Sequence, residues 1–441
     1  MENHPQPPRL ALLLDWRLHV FAAVLALAAE YVGIARLPIG IGTLVLLPLL
    51  YAFIVALLLN PNVIAPMETI MPAKTARWST YLVTLSVMPF IAKFGFGIGP
   101  KIEEILAAGP ALLLQEVGNV ATALFALPIA VLVFGMGREA IGATHSVARE
   151  PNVALIADKY GLKSPEGIGV MGVYVMGTLF GAIYYSLLSS MIASWNLFDV
   201  RALAMGCGVG SGSMMGACAA GLSEVLPEHK ESITAFAGSS NLLTYATGLF
   251  VSVFIALPFT EKFYQLLSKW RKNPEQAQFA AEDSQLHKDA PLSFATKAIV
   301  LAMIMLIMAL SNWMGSKASV NPIEAFGGLL IIYLCCLGGI LLRDLIPVDI
   351  PAIAWISVLG IVLSLPYFPA AEFLLAQVNK VDALPLLTPV LVYAGFAISH
   401  MEVNLFKKSG VKIALIALLT FTGTYLGSVL IAQAFLPSAE I

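Results

Sequence analysis

Read from the N-terminus, the chain is a series of apolar runs broken by short polar stretches. Runs near the twenty or so residues that a bilayer crossing requires fall at about 17–37, 39–59, 79–97, 110–135, 167–194, 232–257, 295–315, 325–343 and 350–367. A last window, 385–435, is long enough for two crossings split near His400 to Lys412. The pattern predicts an all-α polytopic membrane protein with about 10–12 transmembrane segments, eleven by this count, of which 79–97 and 350–367 are short or broken by proline.

Two stretches do not fit a simple crossing. The first is 203–222, LAMGCGVGSGSMMGACAAGL, where Gly206, Gly208, Gly210, Gly212, Gly216 and Gly221 crowd an apolar background. Each glycine weakens a helix by roughly 1 kcal/mol relative to alanine, and backbone left bare in hydrocarbon must be satisfied internally. A helix that breaks in mid-membrane, presenting amides and the Ser211 and Ser213 hydroxyls to a solute, makes use of that weakness. The alternative is a small-residue surface for close helix packing, but these glycines crowd every helix face instead of one stripe.

The second stretch is the polar island 135–161, GMGREAIGATHSVAREPNVALIADKYG. Arg138, Glu139, Thr144, His145, Ser146, Arg149, Glu150 and Asn152 fall close together there. On one helix Arg138, Gly142, His145 or Ser146, and Arg149 would share a face, with Glu139 and Glu150 available to pair the arginines. An ordinary cytoplasmic loop with solvated charges is the alternative. The small-polar run Gly142-Ala-Thr-His-Ser146 matches 210–215 in character. Two such runs in neighbouring segments are what a site made from two discontinuous or re-entrant helices requires, since helix N-termini offer amides and positive dipole ends to a carboxylate.

Charge sets a topology. Lys74 and Arg77 follow the second run, Lys262, Lys269, Arg271, Lys272 and Lys288 crowd 258–294, and Lys407, Lys408 and Lys412 precede the last crossing. By the positive-inside rule all three loops are cytoplasmic if the N-terminus is inside, the C-terminus is outside, and about 137–163 and 200–222 each enter and leave on one side. The N-terminal stretch lacks a small-residue cleavage site and reads as a cytoplasmic leader. Segment 258–294 reads as the one clear linker, with 259–272 able to form a short interfacial helix. Domains follow: leader 1–16, scaffold helices 17–109, a transport core 110–257, the linker, and further scaffold helices 295–441.

Composition narrows the function. The chain is 59% hydrophobic and 12% charged with a net charge of −2, against about 25% charged residues in soluble domains, and it has no basic tail, so nucleic-acid binding is set aside. Cys207, Cys218, Cys335 and Cys336 lie in apolar segments without metal-ligand spacing and read as small core residues, not as a disulfide framework. No phosphate loop, zinc-protease motif or Ser-His-Asp order occurs, which argues against an ATP-driven pump and leaves an intramembrane enzyme using His145 with Glu139 or Glu150 without a nucleophile or metal set. Glu116 and Asn119 lie inside an apolar run beside Pro110; an intramembrane carboxylate is a proton or cation site by default, with a helix-end pairing role as the alternative. Asn241, Thr244 and Thr247 share a face of the next crossing, where helix-to-helix hydrogen bonding competes with solute binding. His400 and Glu402 mark the interruption of the last window, and His4, His229 and His287 read as solvated. A weak internal repeat relates 39–61 to 325–344 and 102–119 to 383–400, as repeat-built transporters would show.

From about Gly135 to Pro258 the chain resembles the LrgB/CidB family of bacterial membrane proteins. The resemblance rests on GREAIGATHSVAREPNVALIA, GIGVMGVYVMGTLFGAI, RALAMGCGVGSGSMMGACA and the following AGLSEVLPEHKESITAFAGSSNLLTYATGLFVSVFIALPF. From DIPAIAWISVLGIVLSLP through LLTPVLVYAGFAIS to the end, the layout is similar to the partner family LrgA/CidA, and a fused arrangement resembles the plastid glycolate/glycerate translocator. More broadly the chain looks like the bile-acid-symporter-like clan, with its 2-hydroxycarboxylate and 2-keto-3-deoxygluconate permeases. Gly206–Val209 and Ser213–Met215 replace the family's His and Thr-Ala-Arg, which passes anion contacts to serine hydroxyls and backbone.

The resemblance implies an inverted-repeat, elevator-type carrier of small organic anions in the bacterial inner membrane, coupled to Na+ or H+, without another cofactor and as a homodimer among lipid. The expected substrate site is Arg138, Thr144, His145, Ser146 and Arg149 with Gly210, Ser211, Gly212, Ser213 and Asn241. The expected ion-coupling residues are Glu116, Asn119 and Glu139. A holin-like or regulatory protein acting by oligomeric assembly is the competing function; it predicts leakage without saturation.

Overall fold

The computed structural model describes residues 10–38, 43–147, 150–161, 164–270, 292–346 and 352–436. Short turns aside, the elements in chain order begin with α1 (Trp16–Val32), β1 (Ala35–Pro38), β2 (Thr43–Leu46), α2 (Pro48–Leu58) and α3 (Ser79–Ile98). Next come α4 (Gly109–Leu114), α5 (Asn119–Pro128), α6 (Glu139–Thr144), α7 (Glu150–Tyr160), α8 (Pro165–Met176) and α9 (Ala182–Ala193). They are followed by α10 (Val200–Gly208), α11 (Gly212–Val225), α12 (Lys230–Val251) and α13 (Leu257–Ser268). The chain ends with α14 (Phe294–Gly315), α15 (Pro322–Leu345), α16 (Ala352–Ser364), α17 (Ala371–Val378), α18 (Ala383–Ala397) and α19 (His400–Phe435).

Among the described residues seven helices are long and apolar enough to cross a membrane, or eight if the bent pair α17–α18 is one span. The polytopic all-helical class therefore holds, apart from one two-stranded antiparallel hairpin pairing Ala35 with Leu46 and Arg36 with Val45. That hairpin corrects the crossing expected at 39–59. Pro48 has no amide to give a preceding turn and sits at the first position of α2, so the helix begins only there and runs for 11 residues. Segment 350–367 is likewise short, with 13 residues in α16. The last window splits at Ile398 and Ser399, earlier than expected.

Contacts divide the chain into two units. The first comprises 1–39, 43–102 and 286–400; the second comprises 40–42, 103–285 and 401–441. The sequence grouped 401–441 with 295–400, whereas its contacts are with the second unit. In the first unit α3 packs on α16 and α18, and α2 on α18. The Asn60 amide closes the end of α18 by donating to the carbonyls of Gly395, Phe396 and Ile398 at 2.9, 3.0 and 2.9 Å. Buried Glu30 accepts from Thr388 Oγ1 at 2.5 Å. Of the expected linker, 257–268 is helical and continues the preceding helix through a π turn at Ser252–Ala256, while 271–291 lies outside the described residues.

In the second unit the span Gly109–Val133 leads into α6 and α7, Pro165–Ala193 leads into α10 and α11, and 230–268 completes the series. The last helix provides a ruler along this unit. At one end Lys412 Nζ donates to the Phe134 carbonyl at 3.4 Å, and at the other Gln433 Oε1 accepts from the Asp199 amide at 2.7 Å. At 1.5 Å per residue these positions are about 30 Å apart, the thickness of a hydrocarbon core.

Candidate functional site

α6 and α7 form one helical hairpin. α6 enters beside α8, and the approach is close because both partners are glycines at the crossing: a Cβ on Gly142 would lie 1.9 Å from the Glu166 carbonyl oxygen, and one on Gly169 would lie 1.9 Å from that of Glu139. The chain stops being helical after Thr144, and α7 returns from Glu150 to Tyr160. Tyr160 comes back to Arg138, whose guanidinium lies 5.9 Å from its ring centroid and pairs with Glu166. Tyr160 and Lys159 both bond Glu261 on α13. The open end of this hairpin therefore carries Arg138, Lys159 and Tyr160, beside Glu166 of α8, and its tip begins at His145.

α10 and α11 form a second hairpin. Asp199 caps α10, accepting from the Arg201 amide at 2.8 Å. Burial raises the Asp199 pKa, but the hydrogen bonds and charge of Arg201 outweigh it and hold the carboxyl below its ordinary value. The helix ends at Gly208, and Ser211 then caps α11, its Oγ accepting from the Met214 amide at 3.4 Å. Residues 11 apart on one straight helix would be separated by about 16 Å, yet the Cα atoms of Cys207 and Cys218 lie 5.4 Å apart. The chain has folded back, and the two cysteines form a disulfide between the arms. This corrects the reading of these cysteines as unlinked core residues; Cys335 and Cys336 are free and buried.

The break at the second tip is held from α12. Asn241 Nδ2 donates to the carbonyls of Gly208 and Gly210 at 2.8 and 2.9 Å, and Ser240 Oγ donates to that of Met205 at 2.7 Å. Carbonyls at a helix C-terminus have no partner inside the helix, and here side chains supply one.

The two tips reach the same turn of the last helix. Thr420 Oγ1 donates to the Ala143 carbonyl at 3.0 Å. The next residue, Phe421, stacks edge-on with Tyr185 at 6.2 Å between centroids, and the Tyr185 ring is 3.5 Å from where a Gly210 Cβ would be. The first hairpin follows Phe134 at one end of the ruler and the second follows Asp199 at the other, so they enter from opposite ends. Both return helices, α7 and α11, begin at the tips and turn their positive dipole ends toward this level.

Glu116 approaches from a third side. It lies in a 3-10 turn, Gln115–Gly118, between α4 and α5, and is buried. Its Oε1 accepts from Gln115 Nε2 at 3.0 Å and from Thr244 Oγ1, one turn beyond Asn241.

The structure thus brings Thr144, His145 and Ser146 to one tip, Gly210, Ser211, Gly212 and Ser213 to the other, and Asn241 and Glu116 beside the second. It does not bring Arg138 there. That side chain is 47% exposed at the hairpin's open end and pairs with Glu166, not with Glu139; the Glu150 side chain lies outside the described residues. Glu139 caps its own hairpin, accepting from the Gly137 amide at 2.7 Å. The single helical face proposed for Arg138 through Arg149 does not exist because the helix ends at Thr144. Arg149 lies outside the described residues, as does the side chain of Asn119.

Several polar residues of this unit were not selected from the sequence as site residues. Asn152 Nδ2 ties down the first tip through the Val147 carbonyl at 2.8 Å. Thr420, Thr424 and Ser428 line one stripe of the last helix, bonding the Ala143 carbonyl, Thr122 Oγ1 and the Gln115 carbonyl at 3.0, 2.6 and 3.0 Å. Their four-residue spacing inside an apolar window was the available signal.

The sequence pattern of a family described as "Protein of unknown function (DUF3100)" matches residues 27–266, more than half of the chain. No curated protein and no solved structure matches it.

Proposed function

The chain belongs to that family of proteins of unknown function, and we propose that it is a secondary active transporter of small organic anions. The substrates are mono- or dicarboxylates such as pyruvate, glycolate or 2-hydroxycarboxylates, moved by an elevator-type mechanism driven by Na+ or H+. The observation that carries this reading is the pair of hairpins entering from opposite ends of the second unit, with both tips at the level of Thr420 and Phe421. An interrupted helix at membrane depth is tolerated only where it lines a cavity or is buried in protein, and two of them sharing a level suit a solute approached from either side. The anion is held by backbone amides at the starts of α7 and α11 together with the Ser211 and Ser213 hydroxyls, which are not fully buried. No arginine is needed at the tips, because helix N-termini supply partial positive charge.

Orientation follows from charge and redox state. Lys159, Lys262, Lys269 and Lys412 lie toward the open end of the first hairpin, which is therefore cytoplasmic by the positive-inside rule. The second hairpin then opens to the opposite side, the oxidising one from which its buried Cys207–Cys218 disulfide would form. The bacterial inner membrane, with Glu116 as a candidate ion-coupling carboxylate and two chains per carrier, completes the proposal.

Uptake of radiolabelled pyruvate, glycolate, citrate and malate into proteoliposomes tests it. A carrier gives saturable uptake of at least one anion driven by a Na+ or H+ gradient, reduced at least tenfold in Ser211→Ala/Ser213→Ala. Absence of gradient-driven flux for all four refutes it, and leakage without saturation supports the assembly-type alternative.

A further inference from the structure

Among the described residues, nearly every polar side-chain atom at the tip of the first hairpin has a partner. Thr144 Oγ1 donates to the Ala140 carbonyl at 2.8 Å and Ser146 Oγ to that of Val147 at 3.3 Å. Asn152 Nδ2 and Thr420 Oγ1 are committed to the Val147 and Ala143 carbonyls. His145 is the exception. Its Nδ1 lies 3.0 Å from the Gly142 carbonyl oxygen, and since a carbonyl can only accept, Nδ1 carries the hydrogen. Nε2 is buried with no hydrogen-bond partner among the described residues, on a side chain with no exposed surface. It is a basic lone pair enclosed near the start of α7, with no acid bonded to it among the described residues.

The charged and titratable groups nearby are engaged elsewhere. α5, α8 and α13 pack on α6. Glu166 of α8 pairs with Arg138, Glu261 of α13 with Lys159 and Tyr160, and Glu139 holds the Gly137 amide. Tyr174, Lys262, Tyr264 and, on the last helix, Lys412 form no bond to His145, whose one side-chain hydrogen bond among the described residues is to Gly142. α5 brings no titratable group, and the side chains of Glu150 and Asp158 on α7 lie outside the described residues.

We propose that His145 Nε2 is the coupling-proton site of the carrier, so that one proton travels with each monocarboxylate. This rests on the carrier reading above. Without an anion, an imidazolium would be a buried charge with no counter-ion among the described residues, which is strongly disfavoured. A carboxylate arriving at the start of α7 supplies that counter-ion. Nε2 then takes a proton from water on the entry side, and the new N–H donates to a carboxylate oxygen. When the anion leaves on the other side the imidazolium loses its partner and returns the proton to water there. Anion and proton each raise the other's affinity by the same factor, which is the condition for coupled transport without sodium.

The test uses the full-length protein with pyruvate and, separately, glycolate as probes. Calorimetric binding at one pH in two buffers of different ionisation enthalpy counts protons taken up per anion; one is expected for the wild type and none for His145→Gln. In sodium-free proteoliposomes an inward proton gradient drives accumulation by the wild type, and KM rises up to about tenfold per unit of increasing pH. His145→Gln transports more slowly and loses both responses. Saturable wild-type binding with no proton taken up overturns the assignment, as does one proton retained in His145→Gln, which would place the site elsewhere, at Glu116 for instance. If His145→Gln does not fold, the wild-type proton count and the slope of KM with pH decide the matter. If neither probe binds or is carried by the wild type, the carrier reading itself has failed, a result distinct from uptake without protons.

Discussion

Asn241 supplies from one amide what the end of α10 lacks within its own helix. Two carbonyls that no following turn can reach accept from it, at 2.8 and 2.9 Å. Asn241→Ala leaves both without that donor, at about 1–3 kcal/mol for a buried group deprived of its partner. We expect faster hydrogen exchange at the amides of 208–212 than in the wild type, with the rest of α12 unchanged; unchanged exchange at the tip would contradict the assignment. Gly142 tests packing in the same way. A methyl there meets the Glu166 backbone, whereas one on Gly109 meets nothing within 4 Å. Gly142→Ala therefore lowers the thermal midpoint, by about 1–3 kcal/mol of overpacking, and Gly109→Ala leaves it unchanged or raises it slightly through helix propensity.

For the elements, the disulfide between α10 and α11 makes the sharpest distinction. Alkylation of the unfolded, non-reduced protein labels two thiols, Cys335 and Cys336, and a linked peptide joins Cys207 to Cys218. Four labelled thiols would contradict the hairpin as described. The sequence reading found both hairpin stretches because they depart from lipid-facing chemistry: glycines on every face in one, a cluster of small polar and charged residues in the other. The glycines alone could not show that 203–222 reverses direction, since a kinked rod and a hairpin require the same ones; that expectation came from charge, because the basic loops share a side only if 137–163 and 200–222 each enter and leave on one face. Nor could the sequence reading place Arg138, because four positions along a helix are indistinguishable from four positions down toward its open end until the partner Glu166, 28 residues away, is known. The crossing assigned to 39–59 failed for a local reason: hydropathy does not separate a β-hairpin followed by a short helix from one continuous helix. The grouping of the last helix with 103–285 depends on contacts hundreds of residues apart, such as Thr122 with Thr424, which no local pattern encodes.

At the scale of the whole molecule, function is assigned to the second unit because it carries both hairpins. The first unit has a buried carboxylate in Glu30 and an amide-capped helix end at Asn60, but no hairpin of this kind among its described residues. The central claim is that the two hairpins open on opposite sides of the membrane. Single cysteines at Lys159, by the open end of the first, and at Leu197, 71% exposed by that of the second, report it directly, on a background with Cys335 and Cys336 replaced by serine. Labelled in oriented vesicles with a membrane-impermeant maleimide, a cysteine at 159 reacts only from the cytoplasmic face and one at 197 only from the opposite face. Reaction of both from the same face would contradict the account.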